Sequence, residues 1–241
     1  MTSVSRPDPV AVILAAGLGT RMRSRLPKVL HPVCGVPMLG YVIDAATTAT
    51  GRRPLVVISP ATDQVREVFA ERAEFAVQDE PRGTADAVRA ALAILPDDAD
   101  EMVVLSGDVP LLAADLVTAL LEVRREVDAA IALVSVDSLD PTGLGRVVRD
   151  EDGFVRAIVE ERDASEDELE LSEINAGIYA FDARWLRRHL PLVAPSPATG
   201  ELYLTALVDL AVADDMPVAA LLLPDDGSLM GINDRAQLAQ A

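Results

Sequence analysis

The chain has 241 residues, of which half are apolar and a quarter are charged, a balance typical of a globular protein rather than a disordered one. Its formal net charge of −18 argues against nucleic acid as a partner, because duplex binding depends on cations that neutralise phosphates. No apolar run approaches the ~20 residues of a membrane helix, no signal pattern opens the chain, and the single cysteine fits a reducing compartment, so we expect a cytoplasmic protein without a membrane partner.

The first half of the chain alternates short β-branched runs with longer amphipathic stretches, a pattern typical of a parallel sheet with helices on both faces. The predicted strands are Val10–Ala15, Leu55–Ser59, Phe75–Gln78, Met102–Ser106 and Ala130–Val136. The predicted helices are Pro37–Thr48, Asp63–Arg72, Thr84–Leu95 and Ala113–Val127, with Asp63 and Thr84 as caps of the second and third. We therefore expect an α/β fold with a doubly wound, mostly parallel, Rossmann-like sheet.

The second half indicates an insertion that builds the second wall of a cleft. A hairpin is predicted from Arg146–Arg149 and Val155–Glu160, followed by an acidic loop or helix face over Glu160–Glu173. The remaining predictions are strands Ile174–Phe181 and Val218–Leu223 and helices Trp185–Leu190, Leu202–Ala213 and Asp234–Gln240. The expected organisation is an N-terminal tail over residues 1–9 and one domain over residues 10–241.

A glycine turn, Ala16-Gly17-Leu18-Gly19-Thr20, leaves the first strand at the end where open α/β sheets bind ligands. A P-loop is excluded because no Gly-Lys-Ser/Thr follows, and a dinucleotide fingerprint is excluded because Arg21 stands where a third glycine is needed. Backbone N–H groups of such a turn can bind phosphate or a base edge, and Arg21 can grip a polyphosphate with its forked guanidinium.

Lys28 is the only lysine of the chain, which otherwise uses twenty arginines. A compact ammonium suits a point contact to a reacting phosphate, although a chance lysine is the alternative interpretation. Arg21, Arg23, Arg25 and Lys28 lie within eight residues with no acid between them. In a strongly negative protein, this segment is the expected phosphate site.

The glycine turn and the segment around Lys28 together resemble the sequence signature of a known family. Leu14-Ala-Ala-Gly-x-Gly-Thr-Arg21-Met, followed by Leu26-Pro-Lys28-Val-Leu, is similar to the signature of the sugar-nucleotide pyrophosphorylases. More narrowly, the chain resembles the N-terminal uridylyltransferase domain of bacterial N-acetylglucosamine-1-phosphate uridylyltransferases from about Val10 to Leu238. The resemblance implies a nucleotidyltransferase that takes UTP and N-acetylglucosamine 1-phosphate, releases pyrophosphate and needs Mg²⁺. Because the chain stops at Ala241, before the β-helix of the bifunctional members, no acetyltransferase activity is expected.

The resemblance also implies a role for each matching position. Arg21 and Lys28 are implied to act in catalysis, and Asp108 and Asn233 to hold the magnesium ion. The implied nucleotide-binding residues are Leu14, Ala15, Ala16, Gly17, Gln78, Gly83 and Thr84, and the implied sugar-binding residues are Gly145, Glu160, Asn175, Tyr203 and Thr205. Without the family, an aspartate after a strand is more often a turn residue.

Departures from the family pattern leave two alternative functions open. Leu18, Ala85-Asp86, Pro197 and Ala206 replace residues that are common in relatives, and they sit beside the nucleotide and sugar pockets. The same chemistry on another nucleoside triphosphate and sugar 1-phosphate is therefore one alternative. A regulator that binds a nucleotide sugar without turnover is the other.

No catalytic role is expected for the two histidines or for the cysteine. His31 and His189 match nothing catalytic and are expected to be packing or surface residues, and Cys34 is expected to be a buried thiol.

Overall fold

A nine-stranded sheet organises the computed structural model, which describes residues 8–241. Residues 1–7 of the predicted tail lie outside the described residues. The strands are β1 (Val10–Leu14), β2 (Pro32–Val33), β3 (Val36–Pro37), β4 (Leu55–Ile58), β5 (Glu74–Val77), β6 (Glu101–Ser106), β7 (Ile131–Asp137), β8 (Arg146–Arg149), β9 (Val155–Val159), β10 (Glu173–Asp182) and β11 (Val218–Pro224). The helices are α1 (Met38–Thr50), α2 (Gln64–Phe69), α3 (Thr84–Leu92), α4 (Ala114–Glu126), α5 (Glu166–Leu169), α6 (Ala183–His189), α7 (Leu207–Ala213) and α8 (Arg235–Gln240).

The main path of the sheet runs β11-β7-β10-β6-β1-β4-β5. Strand β1 pairs in parallel with β4 and β6, and β7 pairs in parallel with β11. Only β10 on this path runs antiparallel to its neighbours, β6 and β7. The β8–β9 hairpin joins the sheet through a pair between Ile174 and Arg146. The predicted mostly parallel α/β sheet with an inserted hairpin is confirmed.

Alternate residues of β1 belong to two hydrophobic cores, one on each face of the sheet. Val10 and Val12 pack in the core that includes α3, α6 and α7, whereas Ala11 and Ile13 pack in the core that includes α1, α2 and α4. A strand that is apolar at every position is what burial on both faces requires. Among residues 8–241, no helix is both long and apolar enough to cross a bilayer.

The predicted helix Leu202–Ala213 is wrong in its first part. Leu202 lies outside any helix, and its N–H donates to the Arg82 carbonyl at 2.7 Å while its own carbonyl accepts from the Ala85 N–H at 2.9 Å. This contact supplies an acceptor to an N–H group at the start of α3, which the helix itself cannot do. A 3₁₀ turn, Leu204–Ala206, follows, and the α-helix begins only at Leu207.

The two predicted helix caps are also corrected. Gly83, not Thr84, occupies the position before α3, and the Thr84 hydroxyl instead accepts the Leu204 N–H at 2.9 Å. Asp63 does precede α2, but its side chain makes no capping bond and pairs with Arg66 at 3.3 Å.

Cys34 is exposed rather than buried. It occupies the turn between β2 and β3 with a φ of 48°, next to Gly35 at 85°, and two successive positive φ values are typical of a tight hairpin turn. This short hairpin was not predicted.

The acidic segment Glu160–Glu173 is solvated only in its middle. The short exposed helix α5 lies there, as the predicted loop or helix face allows. At its end, Glu173 is half-buried between Arg149 and Ser135, each with a contact at 2.6 Å.

Candidate functional site

The glycine turn leaves β1 at the carboxyl edge of the sheet and is anchored by two backbone carbonyls. The Leu14 carbonyl accepts from the Gly107 N–H, and the Ala16 carbonyl accepts from the buried Ser59 hydroxyl, both at 3.0 Å. Within residues 8–241, the N–H groups of Gly17 and Leu18 donate no hydrogen bond. They are therefore free to bind an anion or a base edge.

The turn also packs directly against the stem of Lys28. Gly19 has a φ of +57°, and a Cβ at that position would lie 2.5 Å from the Lys28 Cβ. Only glycine fits this approach without a shift of the backbone. The close contact places the lysine beside the turn.

Lys28, Asp108 and Asn233 meet at this edge of the sheet, although they come from distant parts of the chain. The Lys28 ammonium forms a close ion pair with Asp108, which follows β6, and donates to Asn233 Oδ1 at 2.9 Å. The side chains of Lys28 and Asp108 are only 14% and 17% exposed. An ion pair this sheltered from water interacts more strongly than a surface pair.

Asn233 lies just before α8, and three hydrogen bonds hold it and its neighbour Ile232 in place. The N–H of Ile232 donates to the Asp108 carbonyl at 2.9 Å, and the Asn233 N–H donates to Gln237 Oε1 at 2.7 Å. The Asn233 amide donates from Nδ2 to the Gly231 carbonyl at 3.2 Å, which leaves Oδ1 facing the lysine.

Asp108 Oδ2 and Asn233 Oδ1 both face the position of the Lys28 ammonium, so two oxygen ligands point at one place that holds a cation. Carboxylate and amide oxygens are hard ligands, and Mg²⁺ is commonly held by one or two such groups plus substrate oxygens and water. Among the described residues, no group of three or more His, Cys, Asp or Glu side chains forms a metal cluster. The two residues therefore fit a magnesium ion that shares its ligands with a substrate, rather than a closed protein cage.

Arg21 stays on the surface of the glycine turn. It is exposed in the 3₁₀ turn Thr20–Met22, and within residues 8–241 it forms no ion pair. The turn itself is braced by Arg235, whose Nε donates to the Met22 carbonyl at 3.0 Å. The structure thus brings Lys28, but not Arg21, into the cluster with Asp108.

Gln78 and Gly83 lie together beyond the neighbouring strands β4 and β5. The buried Gln78 side chain donates from Nε2 to the Gly83 carbonyl at 3.1 Å. Gly83 has a φ of +117°, and a Cβ there would lie 2.5 Å from the Leu202 carbonyl oxygen. Glycine is therefore required where the chain turns into α3. Thr84 is exposed next to it and accepts from Leu204.

Four of the five predicted sugar residues cluster where β8, β9 and β10 meet. The Gly145 carbonyl accepts from the Asn175 N–H at 2.9 Å, and a Cβ on Gly145 would lie 3.5 Å from Glu160 Oε2. The Thr205 hydroxyl donates to Glu160 Oε1 at 2.9 Å. Tyr203 lies apart from these contacts, with its hydroxyl bonded to Thr199 at 3.0 Å.

Burial changes the acidity of Glu160 in this cluster and of Tyr203 outside it. Desolvation raises the pKa of Glu160, against the lowering effect of the hydrogen bond from Thr205, and the nearby Asp163 and Glu201 raise it further. Desolvation also raises the pKa of Tyr203. Both groups are uncharged over a wider pH range than the same groups in water.

The sequence assigned no role to three residues of the site. Ser59 fixes the Ala16 carbonyl, Asp86 accepts from Gln78 Nε2 at 3.0 Å, and Tyr179 accepts from Asn175 Nδ2 at 2.5 Å. Ser59 directly follows a strand, which is the signal that could have found it. Asp86 stood out only as a departure from the family pattern and Tyr179 had no signal, because the partners of both side chains are set by tertiary packing.

The histidines play the expected packing roles. His189 stacks on Trp185 and contacts Asp214 at 2.7 Å, and desolvation lowers the pKa of His31. The His31 N–H donates to the Lys28 carbonyl at 3.1 Å, but within residues 8–241 neither imidazole is hydrogen-bonded to the Lys28 ammonium or the Asp108 carboxylate.

The model of the MobA-like NTP transferase domain matches residues 11–203 of the chain. Curated proteins with the name bifunctional protein GlmU are similar over nearly all of it. The protein from Geobacillus thermodenitrificans is 43% identical over 231 residues, which cover 96% of this chain and 50% of the relative. The protein from Pseudomonas aeruginosa is 46% identical over 230 residues, with coverage of 95% and 50%. The chain spans about half the length of these relatives.

A solved structure of CMP:2-keto-3-deoxy-manno-octonic acid synthetase, complexed with CTP, has the same fold. The TM-score is 0.69 at 21% sequence identity, and the match covers 97% of this chain and 96% of that one.

Proposed function

Because the chain belongs to the MobA-like NTP transferase family and is a nucleotidyltransferase, we propose that it transfers a uridylyl group from UTP to N-acetylglucosamine 1-phosphate. The products are UDP-N-acetylglucosamine and pyrophosphate. Residues 10–241 form the catalytic domain in this proposal, and the curated relatives at 43% and 46% identity support the choice of substrates.

The observation that carries the proposal is the convergence of Lys28, Asp108 and Asn233. These residues are separated by 80 and 205 positions, yet Lys28 contacts both of the others. A protein with a net charge of −18 needs a local cationic site to hold a triphosphate. The only lysine of the chain stands at that site, beside two oxygen donors suited to Mg²⁺.

The reaction is an in-line displacement without a covalent enzyme intermediate. An oxygen of the sugar 1-phosphate forms a bond to the α-phosphorus of UTP, and the bond from that phosphorus to the oxygen bridging the β-phosphate breaks, so that pyrophosphate leaves. Such transfers depend on positioning and on neutralising charge in the transition state. A bound Mg²⁺ would supply charge neutralisation for the transfer.

Each side chain of the site has its own role in this reaction. Lys28 neutralises charge near the reacting phosphate, and Arg21 binds the leaving pyrophosphate from the surface of the glycine turn. Asp108 and Asn233 would hold the metal. The backbone from Leu14 to Gly17, with the free N–H of Gly17, and the pair Gln78 and Gly83 orient the nucleotide, with Thr84 beside it.

The cluster at β8, β9 and β10 binds the sugar. Asn175 offers an amide and Glu160 a carboxyl group, which pair with the hydroxyl and acetamido groups of a hexosamine. Thr205 holds Glu160 through its hydroxyl bond of 2.9 Å, and the absence of a side chain at Gly145 lets the chain pack closely on Ile158 and Glu160. Tyr203 completes the sugar-binding site.

A pyrophosphate-release assay tests the proposal. The purified chain is given Mg²⁺ and each member of a panel of nucleoside triphosphates and sugar 1-phosphates. Turnover is expected to be fastest with UTP and N-acetylglucosamine 1-phosphate and to be abolished by a chelator.

Two other results would replace the proposed function. Faster turnover with a different pair would assign the same chemistry to other substrates. Binding of a UDP-sugar in equilibrium dialysis, with no turnover on any pair, would identify a non-catalytic regulator.

A further inference from the structure

The side-chain amide of Gln78 is held in one orientation by two acceptors. Its Nε2 donates to the Gly83 carbonyl at 3.1 Å and to Asp86 Oδ2 at 3.0 Å. A primary amide carries two N–H donors and one carbonyl acceptor, so both donors are used. A flipped amide would place its own oxygen against two acceptor oxygens, and the hydrogen-bond pattern therefore fixes the orientation.

This orientation leaves one atom of Gln78 for a ligand. Within the described residues 8–241, its Oε1 accepts no hydrogen bond, and the N–H of Gly83 donates none. The pair thus offers an acceptor and a donor close together. A base edge with a neighbouring N–H and C=O, such as N3–H and a carbonyl of uracil, complements that pair.

Asp86 is itself fixed on α3. Its Oδ1 accepts from Arg89 at 3.3 Å, one turn along the helix, and its side chain is 18% exposed. Ala85 and Ala87 on either side are buried, so that the helix cannot rotate to move the carboxylate away. The carboxylate can therefore act as a rigid support for the amide.

We propose that Asp86 is a positioning residue that sets the base preference, because it keeps the Gln78 carbonyl oxygen turned toward the base. The inference rests on the proposed function. Cytosine carries a bare N3 acceptor where uracil carries N3–H, so a fixed Oε1 opposes cytosine with acceptor against acceptor. Without Asp86, one N–H of Gln78 is unpaired, and the amide reorients more easily toward a base that needs a donor.

The test compares UTP with CTP in Asp86→Ala, Asp86→Asn and the wild-type chain, each with the same sugar 1-phosphate. The ratio of kcat/KM for UTP to kcat/KM for CTP is expected to fall about tenfold in Asp86→Ala, the effect of losing one hydrogen bond. Asp86→Asn keeps an acceptor oxygen at the same place and is expected to hold the ratio within about threefold. A purely structural role would lower both rates together and leave the ratio unchanged.

Melting temperatures identify variants that fold. If Asp86→Ala does not fold, Asp86→Ser gives the same comparison, since its hydroxyl is too short to reach Gln78 but is tolerated in the first turn of a helix. An unchanged ratio in a folded short variant overturns the inference, and so does an equal fall in Asp86→Asn.

Failure of the proposed function has a different signature. In that case the wild-type chain releases no pyrophosphate from UTP with any sugar 1-phosphate. The ratio of the dissociation constants of CTP and UTP, measured by equilibrium dialysis for the wild type and the variants, then replaces the kinetic ratio. A fall in that ratio in Asp86→Ala but not in Asp86→Asn supports the inference, and an unchanged ratio overturns it.

Discussion

The ammonium group of Lys28 forms an ion pair with Asp108, although 80 positions of sequence separate the two residues. The 3₁₀ turn that carries Lys28 packs against the glycine turn after β1, and Asp108 follows β6, the parallel neighbour of β1. Carboxyl ends of parallel strands meet at one edge, and this geometry brings the two charges together. The fold therefore places the Lys28 ammonium beside the Asp108 carboxylate.

Replacement of Asp108 by alanine is expected to lower turnover about 10²-fold or more, the scale of losing one electrostatic stabiliser. The measurement is kcat for pyrophosphate release at saturating UTP, sugar 1-phosphate and Mg²⁺. Asp115→Ala, which removes an exposed acid from the first turn of α4, is the matched control and is expected to leave kcat unchanged. Near-normal turnover in Asp108→Ala would remove that residue from the proposed mechanism.

Replacement of Lys28 by methionine is expected to increase the affinity of the nucleotide-free protein for a divalent cation by about tenfold or more. The Lys28 ammonium contacts both Asp108 and Asn233, and a neighbouring positive charge repels a divalent ion strongly at such short range. Titration with Mn²⁺, followed by electron paramagnetic resonance of the free ion, measures this affinity without turnover.

Arg25→Met is the control for that titration, because it removes an exposed cation three positions away. It is expected to change Mn²⁺ affinity by less than about twofold, since exposed charges are screened by salt. Equal or weaker Mn²⁺ binding in Lys28→Met would show that the lysine and the metal do not compete for one place.

Local sequence signals predicted most of the sheet but not the contacts between distant segments. The β-branched run at Val10–Leu14 and the glycine turn after it determine a buried strand and an open edge by themselves. The Leu202 backbone, by contrast, is not helical because it pairs with Arg82 and Ala85, more than a hundred positions earlier. No helical periodicity in its own neighbourhood reveals that partner, and so the predicted helix began too early.

Individual residues of the candidate site were predicted only where a sequence motif identified them. The resemblance named Asp108 and Asn233, and the structure brings both to Lys28. Asp86 and Tyr179 act through single hydrogen bonds to Gln78 and Asn175. A sequence cannot specify such bonds, since they depend on the register of packed elements.

Replacement of Glu160 by glutamine is expected to raise the melting temperature at neutral pH while it lowers kcat/KM for the sugar 1-phosphate. Desolvation raises the pKa of Glu160, so the folded protein favours its protonated form. The wild-type chain therefore loses stability as the pH rises through the raised pKa, and glutamine does not. The difference in melting temperature should be absent at pH 4 and grow toward pH 7.

Glu166→Gln on the exposed helix α5 is the control, with no expected change in melting temperature at either pH. A melting temperature of Glu160→Gln that equals or falls below the wild-type value at pH 7 would contradict the desolvation argument. An unchanged kcat/KM would remove Glu160 from the sugar site without affecting the stability result.

Two neighbouring acids at the start of β6 are expected to differ sharply in their contribution to stability. Glu101 is 2% exposed and contacts Arg124 and Arg125, each at 2.5 Å, whereas Asp100 forms an exposed pair with Arg184 at 2.8 Å. Glu101→Ala leaves the buried guanidinium of Arg124 without its partner and is expected to lower the free energy of unfolding by about 3 kcal/mol. Asp100→Ala should cost less than about 1 kcal/mol.

Urea denaturation of both variants measures the two free energies, and its pH dependence supplies a second test. Burial alone would raise the pKa of Glu101, but hydrogen bonds from Arg125 and Arg124 bring it below its ordinary value. A carboxyl group with a lowered pKa stabilises the fold above its unfolded-state pKa, and this contribution is lost as the pH falls through the folded-state pKa. The gap between wild type and Glu101→Ala should therefore be full at pH 7 and shrink in acid. Equal free energies for the two variants at pH 7 would mean that Glu101 contributes no more than a surface acid.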